Sequence, residues 1–339
     1  MRRSSARRSS SGCRPWATEN IARPILGYPP PVRGYVATTD YDWFRFLRAR
    51  QPLDEVNFWQ PSAHGFNAPP GTPFFFKLKA PHNAIGGFGV FARYEPARVR
   101  LVWDAFGTKN GTDSFEAMMA RVSKYADAAT LPQHRVGCIM VADPVFFADG
   151  ELVAQPSDWH RNVVSGAGYD LTAGEGRRIW DECRARTAVR MDAPMLGVAD
   201  GEPMRYGAAQ LVRPRLGQGT FRVAVTGAYA GACAVSGEHS LPALDAAYIR
   251  PFAEEGPHQV ANGLLLRADI HRLFDAGYVT VTPEHRFVVS RRLPDEWANG
   301  RMYYAMDGRE IALPSRKTDR PDPALLRWHN DTVFDRGAA

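Results

Sequence analysis

The chain's 339 residues exceed one ordinary domain and suit two, and 45% apolar, 23% charged and 11% aromatic side chains exclude a disordered, collagenous or coiled-coil protein. No run of 18 apolar residues exists, so no membrane-spanning helix is expected. The net charge of +6 is local: residues 1–23 carry six Arg against Glu19, whereas residues 24–211 hold 20 basic and 20 acidic groups and residues 212–339 hold 16 and 15, so a nucleic-acid partner must be argued from particular sites.

Residues 1–32 are Arg/Ser-rich and then Pro-rich, the composition of a disordered basic leader. Asp40–Arg48 opens on a capping carboxylate and spaces Trp43, Phe44 and Leu47 on one helical face. Val56–Trp59 and Phe74–Leu78 read as short strands between Pro/Gly turns, and Ile85–Tyr94 as a strand bent at its glycines. Ser114–Tyr125 reads as a helix, and Val136–Phe147 as a strand with an Asp-Pro turn. Together these predict an α+β domain over residues 33–190, followed by a Gly/Pro/Arg-punctuated linker at 191–218. The second half changes character. A small-residue helix at Phe221–Ala234 precedes strand Leu244–Ile249, a loop with Gly256 and Pro257, strand Gly263–Leu266, helix Ala268–Asp275 and hairpin Tyr278–Ser290, with residues 314–339 as a tail.

Cys13, Cys138, Cys183 and Cys233 form no C-x-x-C pair, so neither a disulfide framework nor a four-cysteine zinc site is expected. The N-terminal Arg pairs are followed by no apolar stretch of signal type, and a reducing cytoplasm is the expected location. His271 and Asp275 stand four apart, on one helical face about one turn apart. A neutral imidazole and a carboxylate so placed suit one divalent cation with positions open to phosphate and water.

The segment from Cys233 to Val281, with the string NGLLLRADIHRLFD inside it, resembles the HNH nuclease family. The resemblance implies a ββα-metal fold over residues 219–313 and a divalent metal ion such as Mg2+ or Mn2+, with Asn262 and His271 at the family's middle Asn and last His. Asp275 and Asp245 are the accompanying metal-ligand candidates, and Asn262 is expected to pin the opposite loop. Two departures stand out. The cysteine pairs that hold a structural zinc in many members are missing, since Ser236 follows Cys233 and no later cysteine exists; no structural zinc is expected. The family's catalytic histidine is Tyr248, preceded by Ala247, with Asp245 the nearest carboxylate. Tyr248 itself as the base, His258 from the loop (with His239 behind it), or a dead site are the three readings, Tyr248 first.

Val56–Ser62, Phe74–Leu78, Ile85–Phe91 and Trp159–Tyr169 resemble PUA-like modules, the superfamily of the EVE and SRA readers of modified bases. That resemblance implies a mixed β-barrel in which an extruded base stacks on Trp59, Trp159 or Tyr169 and is read by Asn57, Ser62 or Asn162. Lys77, Lys79, Arg250 and Arg267 are phosphate-contact candidates. The combined expectation is a metal-dependent restriction endonuclease on double-stranded DNA, directed to modified bases and acting as a homodimer because one HNH site cuts one strand. The alternative is an inactive reader of modified DNA or RNA that uses the HNH fold as a clamp.

Overall fold

Phenylalanines two apart point to one face of a strand, and their neighbours point to the other. Phe74 and Phe76 therefore enter one apolar layer while Phe75 enters the layer behind it, and all three are fully buried. A computed structural model describes residues 33–63, 65–125, 134–191, 216–297 and 299–337. The leader and most of the linker expected from the sequence lie outside these residues.

The elements are β1 (Arg33–Thr39), α1 (Tyr41–Arg48), β2 (Glu55–Gln60), β3 (Pro73–Leu78), β4 (Ala84–Arg98), α2 (Val99–Phe106), α3 (Phe115–Val122), β5 (Arg135–Phe146), β6 (Val153–Ala154), β7 (Gly166–Asp170) and α4 (Gly174–Met191). The chain continues with α5 (Gln218–Ala228), β8 (Leu244–Tyr248), β9 (Gly263–Arg267), α6 (Ala268–Asp275), β10 (Val279–Val281), β11 (Phe287–Val289), α7 (Arg292–Trp297), α8 (Arg301–Tyr304) and α9 (Pro323–Thr332).

The large sheet runs β2-β5-β4-β3-β1-β7, with β6 on the end of β4; β1 and β3 are parallel and the other pairs antiparallel. Among the described residues β2 and β7 pair with no further strand. The sheet is open. The closed barrel implied by the PUA-like resemblance is not formed, and the architecture is a mixed α/β one with a sheet-rich N-terminal region. Helix α1 covers one face through Trp43, Phe44 and Leu47, each such buried side chain contributing about 1.5–3 kcal/mol. Asp40 precedes α1 without capping it, because its carboxylate pairs with Lys79 instead.

The opposite face is shared. Beneath β1, β3 and the start of β4 it packs on α4 through Ile179 and Cys183. Beneath β5 it meets α2 and α5, and from there one apolar cluster runs without a break into Leu264, Leu265, Ile270, Phe274 and Phe287. The sheet and the C-terminal elements therefore share a core. The segment expected as a tail contains α9, whose Leu325, Leu326 and His329 are buried in or against that core. A bidentate pair from Arg93 on β4 to Asp319 (3.0 and 2.7 Å), with Glu95 alongside, adds a polar tie between the same two regions.

Candidate active site

Strands β8 and β9 form an antiparallel hairpin in which Asp245 faces Leu266 and Tyr248 faces Gly263 across the ladder, and α6 follows β9 directly. Helix α6 turns its apolar side, Ile270 and Phe274, into the core and leaves His271 and Asp275 at the strand surface. His271 stands between two carboxylates: Nδ1 is 3.3 Å from Asp245 Oδ2 and Nε2 is 3.3 Å from Asp275 Oδ2. Partial burial, with the Asp245 charge adding, pushes the Asp275 carboxyl up although His271 draws it down.

Asn262, fully buried just before β9, clamps the loop between the strands. Its Oδ1 accepts the Arg250 N–H at 2.9 Å, and its Nδ2 donates to the carbonyls of Arg250 (2.8 Å) and Pro257 (3.0 Å). Where a zinc staple would sit, the buried Cys233 sulfur accepts N–H groups of Ser236 (3.4 Å) and Arg267 (3.2 Å), tying the preceding turn to the end of β9.

A divalent cation has a partial fit here. Two donors each about 2.1 Å from one ion lie roughly 3.0–3.4 Å apart at octahedral to tetrahedral angles, and both His271 contacts have that spacing. The two contacts use opposite ring nitrogens, however, and one imidazole offers a single ion only one of them. One carboxylate can share the ion with His271 while the other orients the ring, the usual carboxylate–histidine–metal arrangement. Accordingly, among the described residues no group of three His, Cys, Asp or Glu side chains converges on one point.

This geometry lies within a family match. Residues 233–282 match the HNH endonuclease family. No curated protein matches the chain. Among solved structures, an ASCH protein variant from Zymomonas mobilis is 10% identical, over 43% of this chain and 96% of that one, at a TM-score of 0.30. The modification-dependent restriction endonuclease TagI is 14% identical, over 79% of this chain and 63% of that one, at a TM-score of 0.24. Neither TM-score carries an assignment of the sheet region.

In the HNH domain, Tyr248 is half-buried among aromatic neighbours. Its ring stacks on Phe221 of α5 at 3.8 Å and 8°, with the His258 ring edge-on at 6.0 Å. Burial, with the Glu55 charge adding, pushes the phenol up to about 12. Without a cation beside it, the phenol is thus protonated across the neutral range. His258 is half-buried beside it, while His239 is exposed in the turn before β8.

Several sequence candidates are committed elsewhere. Arg267 forks onto Asp269 at 2.6 and 2.7 Å and holds that carboxyl down to about 2, so it is no open phosphate contact. Arg250 donates to the Glu254 carbonyl and lies over the Trp328 ring. Asn57 is buried and donates to Asn110 Oδ1 at 2.9 Å, and the Trp59 indole donates to the Asn110 carbonyl at 3.2 Å. These two side chains hold the turn after α2 and present no base platform. Ser62 is exposed just past β2.

Trp159, Asn162 and Tyr169 belong to β7 and the loop before it, at the opposite end of the sheet order from β2, so the six base-reading candidates do not form one pocket. The Tyr169 hydroxyl donates to Asp158 at 3.0 Å, and Asn162 is exposed. Lys79 pairs with Asp40 at the surface, whereas Lys77 is buried and belongs to no exposed phosphate-binding face.

The residue that sequence reasoning missed is Glu55. It is fully buried and accepts the N–H groups of Gly219 (2.8 Å) and Thr220 (3.0 Å), the Thr220 hydroxyl, and Lys109 Nζ at 3.4 Å. It thereby caps the N-terminus of α5 across more than 160 residues of sequence. The only local signal was Gly217 and Gly219: a Cβ at 217 would stand 2.2 Å from the Glu55 carboxyl carbon, and one at 219 would stand 2.6 Å from the Ala105 carbonyl oxygen.

Proposed function

We propose that the protein is a metal-dependent DNA endonuclease of restriction type, with the HNH domain cutting and the sheet region selecting the DNA. The observation that carries the reading is His271 held between Asp245 and Asp275 beside the loop clamped by Asn262, within the segment that matches the HNH endonuclease family. A divalent ion at His271 would supply charge stabilisation to the scissile phosphate and the departing sugar oxygen. Asp245 or Asp275 would share that ion, and the other carboxylate would hold the imidazole. Asn262 bonds the backbone of Arg250 and of Pro257, the residue before His258. His258 is the base that takes the proton from water, and Tyr248, protonated and stacked, forms the wall against which it works. The substrate is double-stranded DNA, with a modified cytosine as the trigger and a homodimer delivering the second cut; residues 33–190 are the selecting region.

The test is digestion of modified and unmodified duplexes with Mg2+ or Mn2+. Cleavage is expected to need the metal, to vanish in His271→Ala and to fall at least a hundredfold in His258→Ala, with both variants folded by circular dichroism. Undiminished cutting by His271→Ala rejects the site.

One observation favours a second reading. A half-buried tyrosine with its pKa pushed up stands where the family has histidine, as a domain that binds DNA without cutting would permit. That reading wins if the wild type cuts no duplex with any metal while Tyr248→His nicks.

A further inference from the structure

We propose that α7 and α8 form a docking surface for duplex DNA beside the HNH site, with Arg272 and Arg301 on backbone phosphates and Trp297 and Met302 against the apolar sugar and base faces between them. The proposal rests on the reading that the HNH domain cuts DNA, and both helices lie beyond the segment that matches the family. Leu293 and Gly300 are buried and seat the two short helices on the domain, a Cβ at Gly300 coming within 2.8 Å of the Leu293 side chain. Trp297 and Met302, on either side of that glycine, are nevertheless 65% and 53% exposed. The tryptophan is held in this position. Its indole donates to the Tyr278 hydroxyl at 3.1 Å, and that hydroxyl donates to Glu296, which also accepts from Arg292 at 2.7 Å. Tyr278 stands three residues after Asp275, so the exposed ring is fixed beside the end of α6. Apolar side chains kept in solvent and rimmed by charge mark interaction sites.

Helix α6 connects this surface to the site. At about 100° per residue, Asp275, Arg272 and Asp269 follow His271 at roughly 40°, 100° and 160° around the helix, and the core-facing Ile270 and Phe274 take the other side. At the far end of that arc the Tyr303 hydroxyl of α8 donates to Asp269 at 2.9 Å. Arg272 therefore lies between the His271–Asp275 pair and α8. Arg272, Arg291 and Arg301 are exposed, and among the described residues their guanidinium groups form no ion pair or hydrogen bond. The carboxylates of α7 and α8 oppose them with Asp295 alone, since Glu296 is taken by Arg292 and Tyr278. Uncommitted cations around an apolar tip suit a polyanion with apolar faces between its charges, which describes a nucleic-acid backbone. They do not suit a second copy of the chain, because a two-fold contact through the same patch would bring like charges together.

The experiment uses the full chain in EDTA and a fluorescent duplex, with dissociation constants measured by anisotropy at several salt concentrations. Arg272→Gln and Arg301→Gln are each expected to reduce the slope of log Kd against log salt by about one, as for one lost phosphate contact. Trp297→Ala should weaken binding about tenfold with the slope unchanged, the scale of one aromatic contact, and Met302→Ala should weaken it less. Trp297→Phe keeps a ring on the surface without the hydrogen bond to Tyr278, and should stay within about threefold of the wild type. The surface is overturned if both arginine variants keep the wild-type slope, if Trp297→Ala binds as the wild type does, or if Trp297→Phe binds as weakly as Trp297→Ala, as for an indole with a structural role. It is also overturned if Trp297→Ala converts a dimer to a monomer by sedimentation without DNA, as for a face covered by a second copy. A wild type that binds no duplex rejects the DNA reading itself and the surface with it. A wild type that binds, and cuts when metal is supplied, while all these variants bind unchanged rejects the surface alone.

Discussion

His329 shows how one side chain couples stability to pH. Its ring stacks on Phe274 at 3.6 Å, Nδ1 faces the Thr280 hydroxyl at 2.8 Å, and Nε2–H donates to the Phe274 carbonyl at 3.1 Å. Burial draws its pKa down from 6.5 to about 4. The folded state therefore binds fewer protons than the unfolded state between those values. Its contribution is complete above pH 6.5 and is lost as pH falls toward 4, on the order of 3 kcal/mol in all. Urea unfolding at pH 7 and pH 4.5 should show this loss in the wild type and a smaller loss in His329→Gln; equal pH slopes would place the titration elsewhere. Tyr248 makes a second case. With its phenol pushed up to about 12, a tyrosine base would raise the cleavage rate tenfold per pH unit from 7 to 10, whereas a histidine base levels off above its ordinary pKa of ~6.5. A plateau is expected, together with Tyr248→Phe retaining at least about half of the wild-type rate; a steady climb that Tyr248→Phe removes would restore the phenol as base.

At the scale of elements, α5 links the sheet to the HNH hairpin. Its N-terminus is held by Glu55 from β2, and its Phe221 lies on Tyr248 of β8. Removing the Glu55 carboxylate leaves two buried N–H groups and the Thr220 hydroxyl unmatched, so Glu55→Ala should cost about 2–4 kcal/mol by urea unfolding. Gly219→Ala should also destabilise, because the added Cβ meets the Ala105 carbonyl oxygen, a backbone atom that cannot step aside alone. A loss below about 0.5 kcal/mol in either variant would mean that α5 is held mainly by its apolar face.

At the scale of the molecule, the apolar cluster shared by β5, α2, α5, β9, α6 and α9 runs unbroken from the sheet region into the HNH domain. One cooperative unfolding transition is therefore expected, with tryptophan fluorescence and far-UV circular dichroism changing together; two separated transitions would show that the regions fold independently. For the reaction, one HNH site per chain means that nicks should accumulate in first order in protein while double-strand breaks rise with its square. A linear dependence of both would remove the dimer.

The local elements were legible because their signals are local. The period-two phenylalanines of β3, the apolar face of α1 and the ββα order around Asn262 and His271 each lie within a short window of sequence. The choice of His271, Asp245 and Asp275 as neighbours was legible for the same reason: a helical four-residue spacing on one side and a strand in a familiar order on the other. What only the tertiary structure decided was which polar residues are spent on holding the chain. Asn57 and Trp59 lie in a strand that resembles a reader motif, yet they hold the turn at Asn110. Lys77 and Lys79 look alike two residues apart, yet one is buried and the other pairs with Asp40. Glu55 carried no signal in its own neighbourhood, because its partners arrive from residues 219 and 220. Side-chain burial and pairing are set by contacts between distant segments, and a period or a motif records only what lies within its own few turns.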